Sequence, residues 1–286
     1  MTSIHAQGIQ PSSKLIKQLE KIQTLLSDQA TLKDDPRLGE DYDDDLLLPK
    51  LVGSISLSAT QEEPDLAHLA LVVYDTEDNK VIHKVTKAIN LGDYKDLKLT
   101  HDYINEYFPD QEEELFPLDL DDKINSIPYI TNFLAFREVE PYAEIILGLE
   151  PHLRPKLIIT EGGGRLHPRR CGLATHLGLL IDIPVIGLAK DLLEVGKWNR
   201  GQIKEQVADL EDGQSIDLDY EDEIVGKALK PVESSRIVYV SAGNNISIET
   251  SLKLIKELSD FRIPEPLRAA CLEARQARRL ANESSE

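Results

Sequence analysis

Apolar positions along residues 13–26 recur at the period of a helix and place Leu15, Ile16, Leu19, Ile22, Leu25 and Leu26 on one stripe. Residues 50–58, 67–74 and 80–89 are short, rich in β-branched side chains and separated by turn residues, which predicts a strand meander. The pattern then changes. Residues 132–149 predict a helix with Gly148 in its last turn, stopped at Pro151, which has no backbone N–H to donate. Residues 156–160 and 184–189 are wholly apolar strands, and 172–180 between them has helical spacing. Strand, glycine loop, helix, strand is a βαβ unit and implies parallel pairing. A strand at 237–241, a helix at 246–258 and a last helix at 264–280 close the chain. The Arg-rich end of that last helix suits the negative pole of its dipole. The sum is an α/β fold, a mixed central sheet with flanking helices, and no internal repeat.

Two acidic stretches interrupt this order, 90–125 and 206–223, and both are expected to be irregular surface insertions. The division expected is an amphipathic helix and acidic linker over 1–49, including the run EDYDDDLLLPK, and a main domain over 50–286. The 286 residues carry a formal net charge of -19. A field of that sign repels phosphate backbones at long range, so a nucleic-acid partner would need a local basic cleft or a metal. It also makes a basic protein partner, reached through the N-terminal helix and the acidic segments, a real alternative. No apolar run approaches the ~20 residues of a membrane helix, and the first residues lack an apolar signal core. Two cysteines make neither a disulfide framework nor a zinc site, and Cys171 is expected to pack as a small hydrophobe. An intracellular protein, cytoplasmic or nuclear, is expected.

Chemistry concentrates between residues 128 and 190, in PYITNFLAFREVEP (128–141) and LIITEGGGRLHPRRCGLATHLGLLIDIPVIGLAK (157–190). Both segments, with RIPEPLR at 262–268, resemble endonuclease V, a metal-dependent family that cuts nucleic acid near deaminated purines. The resemblance runs from about residue 50 to 275 and implies a ribonuclease H-like architecture. It also implies carboxylates converging on magnesium (or manganese), a hard cation that prefers oxygen ligands and activates water.

Set against the family pattern, the site is altered. Ser56, in LVGSISLSA, stands where the first strand carries an aspartate, with Ser54 and Ser58 on its face. Glu138 of Phe136-Arg137-Glu138 matches a metal ligand. Glu161 replaces an aspartate and moves the carboxylate by about 1.5 Å, which an octahedral ion tolerates badly. Gly163 takes the place of a histidine. Asn244 is matched to a histidine, leaving hydrogen bonding without proton transfer. Asp65 and Asp75, the acids nearest Ser56, read as turn residues. Other features persist: His167, Arg169 and Arg170 in an HPRR element, Lys190 as a charge-stabilising cation, and Tyr129 as a stacking wedge. Thr131 and Asn132 replace proline and glycine beside that wedge. Gly162, Gly163 and Gly164 are expected to let main-chain amides approach a phosphate or base.

Three readings follow. The first is an endonuclease V-like protein with lost or reduced cleavage that keeps the fold for nucleic-acid or protein binding. The second is an active enzyme using Glu138, Glu161, Lys190 and His167 on inosine-containing DNA or RNA, with Mg or Mn. The third is an acidic interaction subunit that touches no nucleic acid. Removing an anion from a metal cluster leaves the remaining carboxylates repelling each other, which favours the first.

Overall fold

The computed structural model describes residues 11–39, 48–60, 62–121 and 126–283. The acidic run at 40–47 therefore lies outside the described residues. The meander forms as expected: β1 (Leu51–Ala59), β2 (Leu66–Asp75) and β3 (Lys80–Asn90) pair antiparallel. β1 also pairs in parallel with β4 (Leu157–Glu161), and β4 in parallel with β5 (Val185–Ala189).

Successive side chains on β1 and β4 point to opposite faces, and both faces are buried, which is why β4 reads as a continuous apolar run. Ile55 and Ile158 enter one core, closed by α4 (Ala135–Leu147) and α5 (Leu173–Ile181). Val52, Leu157 and Ile159 enter the other, closed by α7 (Ile248–Glu257) and α8 (Glu265–Glu283). Ser54 and Ser56 share the second face and are buried. They are not a solvent-facing row, and together with Ala270 and Ala274 of α8 their small side chains let the helix lie close on the sheet.

The acidic stretches are more ordered than their composition suggests. Residues 90–125 contain α2 (Lys98–Tyr107) and α3 (Pro109–Leu115). Their sparse apolar positions, Leu97, Ile104 and Leu115, are buried in a third core. The stretch 206–223 overlaps the end of α6 (Arg200–Gln206) and holds β6 (Ser215–Tyr220), whose hairpin partner is β7 (Glu223–Leu229). β8 (Val238–Ala242) runs antiparallel between β7 and β5, completing an eight-stranded sheet of order β3-β2-β1-β4-β5-β8-β7-β6. Surface acids mask the apolar spacing in both stretches.

The N-terminal stripe has an internal destination. α1 (Ser13–Gln29) buries Leu15, Leu19, Ile22 and Leu26 against Leu97, Ile104, Phe133 and Phe136. Each such side chain stabilises by roughly 1.5–3 kcal/mol, so this face is spent within the chain instead of being offered to another. A buried relay joins the same region to α4. Glu140 accepts the N–H groups of Leu99 (2.8 Å) and Thr100 (2.9 Å) and the Thr100 hydroxyl (2.7 Å). Thr100, its proton committed, accepts from His176 Nε2 at 3.0 Å. Burial pushes His176 down to about 3, so it stays neutral. These bonds fix α4, and with it the position of Glu138.

Candidate functional site

The parallel register sets the site. Ile55 lies opposite Thr160 and Glu161 opposite Leu188, which brings Ser56, Glu161 and Lys190 to one edge of neighbouring strands. There Lys190 Nζ forms an ion pair with Glu161 Oε1 at 2.8 Å. Cys271 of α8 donates its thiol to Glu161 Oε2 at 3.3 Å and lies 3.8 Å from Lys190 Nζ. Ser56 hydrogen-bonds the same thiol, and burial holds the thiol pKa above its ordinary value. Cys271 is thus the residue at this corner that motif reading missed. The sequence signal was its place one helical turn after RIPEPLR, on the apolar face of the last helix.

Glu138 approaches from α4. Burial raises its carboxyl to about 7; the Arg137 charge opposes this and Glu161 reinforces it. Tyr142 hydrogen-bonds Glu138. Arg137 is buried and turns away to tie the chain together. It donates to the carbonyls of Ile127 and Pro64 and forms an ion pair with Asp65 at 2.9 Å. Asp65 is therefore committed to Arg137, and Asp75, buried, accepts the N–H groups of Glu77 and Asp78.

A hard divalent ion does not fit this donor set. One of the two carboxylates already holds an ammonium, a hydroxyl and a thiol flank it, and among the described residues no group of three His, Cys, Asp or Glu converges to hold a metal. Softer thiolate coordination would need Cys271 ionised, and burial opposes that.

Beside the corner lies a cavity of about 280 Å³, lined by Tyr129, Leu134, Glu138, Glu161, Leu166 and His167 among others. Tyr129 stands 57% exposed at this site. Asn132 has φ 71°, a left-handed conformation suited to glycine or asparagine. Gly162 has φ 137°, and a side chain on Gly164 would meet the carbonyl of Ala242 at 2.1 Å, so the loop after β4 must be glycine. That close packing uses its amides. Gly162 N–H donates to Leu188 O at 3.1 Å and Gly164 N–H to Ser241 Oγ at 2.7 Å. Neither of these two amides is offered to a phosphate or base, while Gly163 between them lines the cavity.

His167 is likewise spent. Its Nε2 donates to Asn132 O at 2.9 Å, its Nδ1 accepts from Arg169 N–H at 3.2 Å, and burial lowers it to about 4. With both nitrogens engaged it orders the cavity wall and has no lone pair or proton to exchange with a substrate. Asn244 does not join the corner. β8 runs antiparallel to β5, so Ala242 lies beside Ile186, away from Ala189. Asn244 accepts from Thr31 N–H at 2.8 Å and donates to Gly178 O at 3.2 Å.

The molecule is thus of ribonuclease H-like class: a mixed sheet with acidic side chains gathered where its central parallel strands end. The endonuclease V family profile matches residues 117–272. Endonuclease V of Mus musculus is 39% identical over 156 residues, 52% of this chain and 46% of that protein. The human protein is 40% identical over 156 residues, 52% and 55% of the two. The chain belongs to the endonuclease V family. The matched segment is about half the length of these curated relatives. In three dimensions the catalytic domain of human endonuclease V superposes with TM-score 0.78 at 28% identity, over 96% of this chain and 99% of that one. The Ciona intestinalis endonuclease V, bound to a 24mer DNA containing an inosine followed by a ribo-adenosine, gives 0.74 at 26%, over 94% and 100%. Among the described residues no helix is long and apolar enough to cross a membrane.

Proposed function

We propose that this chain binds single-stranded or deaminated nucleic acid through the retained cavity and has lost phosphodiester cleavage. The observation that carries the reading is the buried Ser56 hydroxyl, at the position matched to an aspartate, hydrogen-bonded to the Cys271 thiol that donates to Glu161 at 3.3 Å. A nuclease of this family relies on a divalent ion to activate water and neutralise charge developing on phosphate. Here a side-chain ammonium occupies one carboxylate, and a hydroxyl stands at the position matched to an anion.

The binding half of the reading draws on different residues. Glu138, raised to about 7, is largely protonated below neutrality and presents less negative charge to a ligand in the cavity. Tyr129 offers an exposed ring to an unstacked base, a contact worth about 1–3 kcal/mol. Arg169 and Arg170, on the loop that also contributes Leu166 and His167 to the cavity, supply planar donors for phosphodiester oxygens. An inosine-containing strand is the ligand of choice because the Ciona relative is seen with one.

The test incubates purified protein with labelled inosine-containing single-stranded DNA and RNA, in Mg²⁺ or Mn²⁺, beside Glu138→Ala. Retarded but intact strands are expected. Cleavage that a chelator and Glu138→Ala both abolish would establish an active nuclease instead. Intact strands with no retardation at low salt would leave the protein-interaction reading.

A further inference from the structure

The loop carrying Arg165, Arg169 and Arg170 meets carboxylates from two distant segments, around Glu20 and around Glu221 and Glu223, and these contacts differ in kind. Arg165 is architectural. Its guanidinium pairs with Glu223 through two bonds (2.9 and 2.8 Å) and also donates to Ser27 O, Ser27 Oγ and Arg170 O. Arg169 and Arg170 are held more loosely. Arg169 lies over the Phe133 ring at 4.5 Å and donates Nε to Gln23 Oε1 at 2.6 Å, but reaches Glu20 only at 3.4 Å. Its buried Nη2 has no hydrogen-bond acceptor. Arg170 donates Nη2 to Glu221 at 2.6 Å and to Tyr220 O at 3.3 Å. Its Nε lies 3.3 Å from Glu223 without a hydrogen bond. The carboxylates of Glu20 and Glu221 are 46% and 61% exposed.

We infer that Glu20 and Glu221 mask Arg169 and Arg170, and that the phosphodiester groups of a bound single strand displace them. The inference rests on the nucleic-acid reading above and adds its regulation. A phosphodiester brings two acceptor oxygens on one negative charge, matching a guanidinium fork better than the single oxygen that Glu20 or Glu221 presents. The hold of an exposed ion pair is small and screened by salt, so exchange is favourable once a strand is seated. In a chain of net charge -19, such masking also suppresses weak capture of unrelated polyanions.

The experiment is a double-mutant cycle read by fluorescence anisotropy with a labelled inosine-containing single-stranded DNA. Glu20→Gln/Glu221→Gln is expected to tighten binding on the order of three- to tenfold. Arg169→Ala/Arg170→Ala is expected to weaken it, and in that background the glutamine pair should bring no gain. A gain that persists without the arginines would mean only bulk charge was removed, and would overturn the inference. So would wild-type binding that the glutamine pair leaves unchanged. No binding by any variant at low salt would overturn the nucleic-acid reading itself, and the mask with it. A Tm measured for each variant confirms that it is folded.

Discussion

The cavity and the carboxylate corner share Glu138 and Glu161, yet they are built on opposite terms. In the cavity, both His167 nitrogens and the main-chain carbonyl of Asn132 have fixed partners, and the wall is propped by Gln23, which donates to Asn132 O (2.9 Å) and Cys171 O (3.2 Å). In the corner, charge is balanced by neighbouring side chains alone, Lys190 against Glu161, with a thiol wedged between strand and helix. A binding surface tolerates this arrangement, because shape and neutral hydrogen bonds suffice to hold a base. Hydrolysis through a divalent ion does not, because it needs uncompensated anions. On the reading proposed above, the difference is how one fold would lose one half of an activity while keeping the other.

The contrast breaks most severely at α1, which props the cavity but not the corner. Leu19→Ala, in a fully buried position, is expected to cost about 2–5 kcal/mol in denaturant unfolding. A loss below 1 kcal/mol would mean α1 is only loosely docked.

The next effect is in pH. Glu138 titrates near 7 when folded, against an ordinary 4.5, so the folded state binds its proton more tightly. Stability from this group is present at acid pH and is lost as pH rises from about 4.5 through 7. Glu138→Gln should therefore be more stable than wild type at pH 8, by about 1–3 kcal/mol, and not at pH 4.5. Chemical denaturation in chelator at both pH values measures it. The buried histidines act in the other direction. His167, held near 4, and His176, near 3, are neutral when folded and must charge on unfolding in acid. Their contribution is present above pH 6.5 and is lost as pH falls toward 3.

A smaller effect separates binding from stability. Tyr129→Ala should weaken oligonucleotide binding by about 1–3 kcal/mol and leave the melting temperature unchanged, because the ring is exposed. Least of all, saturating Mn²⁺ or its removal by chelator should move the melting temperature by less than about 1 °C. Tight binding of an ion to the native state would raise it by mass action.

Much of this was legible in the sequence. The periodic and unbroken apolar segments gave α1, β1 to β5, α4, α5, β8, α7 and α8 to within a few residues, because their buried positions follow the repeat of the element itself. The hairpin β6–β7 and the helices α2 and α3 were hidden, since their apolar residues are few and their acids many. At the site, the family resemblance brought Ser56, Glu138, Glu161 and Lys190 into one region. It misled at Asn244, because an antiparallel strand carries that residue toward the other end of the sheet. It was silent on Cys271, whose position depends on how closely α8 lies on the serine face of β1. Proximity across 110 residues, as between Glu161 and Cys271, is set by packing and leaves no local mark.

The segment around Thr31 to Leu38 closes the molecule on itself. Asp34 accepts from Ser247 N–H and the Thr250 hydroxyl, both at 2.7 Å, Thr31 meets Asn244 and Asn245, and Leu38 is buried under α7 and α8. These contacts span more than two hundred positions, so each closes a long loop at a large entropic cost. Asp34→Ala with Leu38→Ala, which leaves α1 in place, would begin α7 without its carboxylate acceptor and leave an open slot where Leu38 belongs. This pair of changes is expected to yield a protein that opens from its C-terminal helices first.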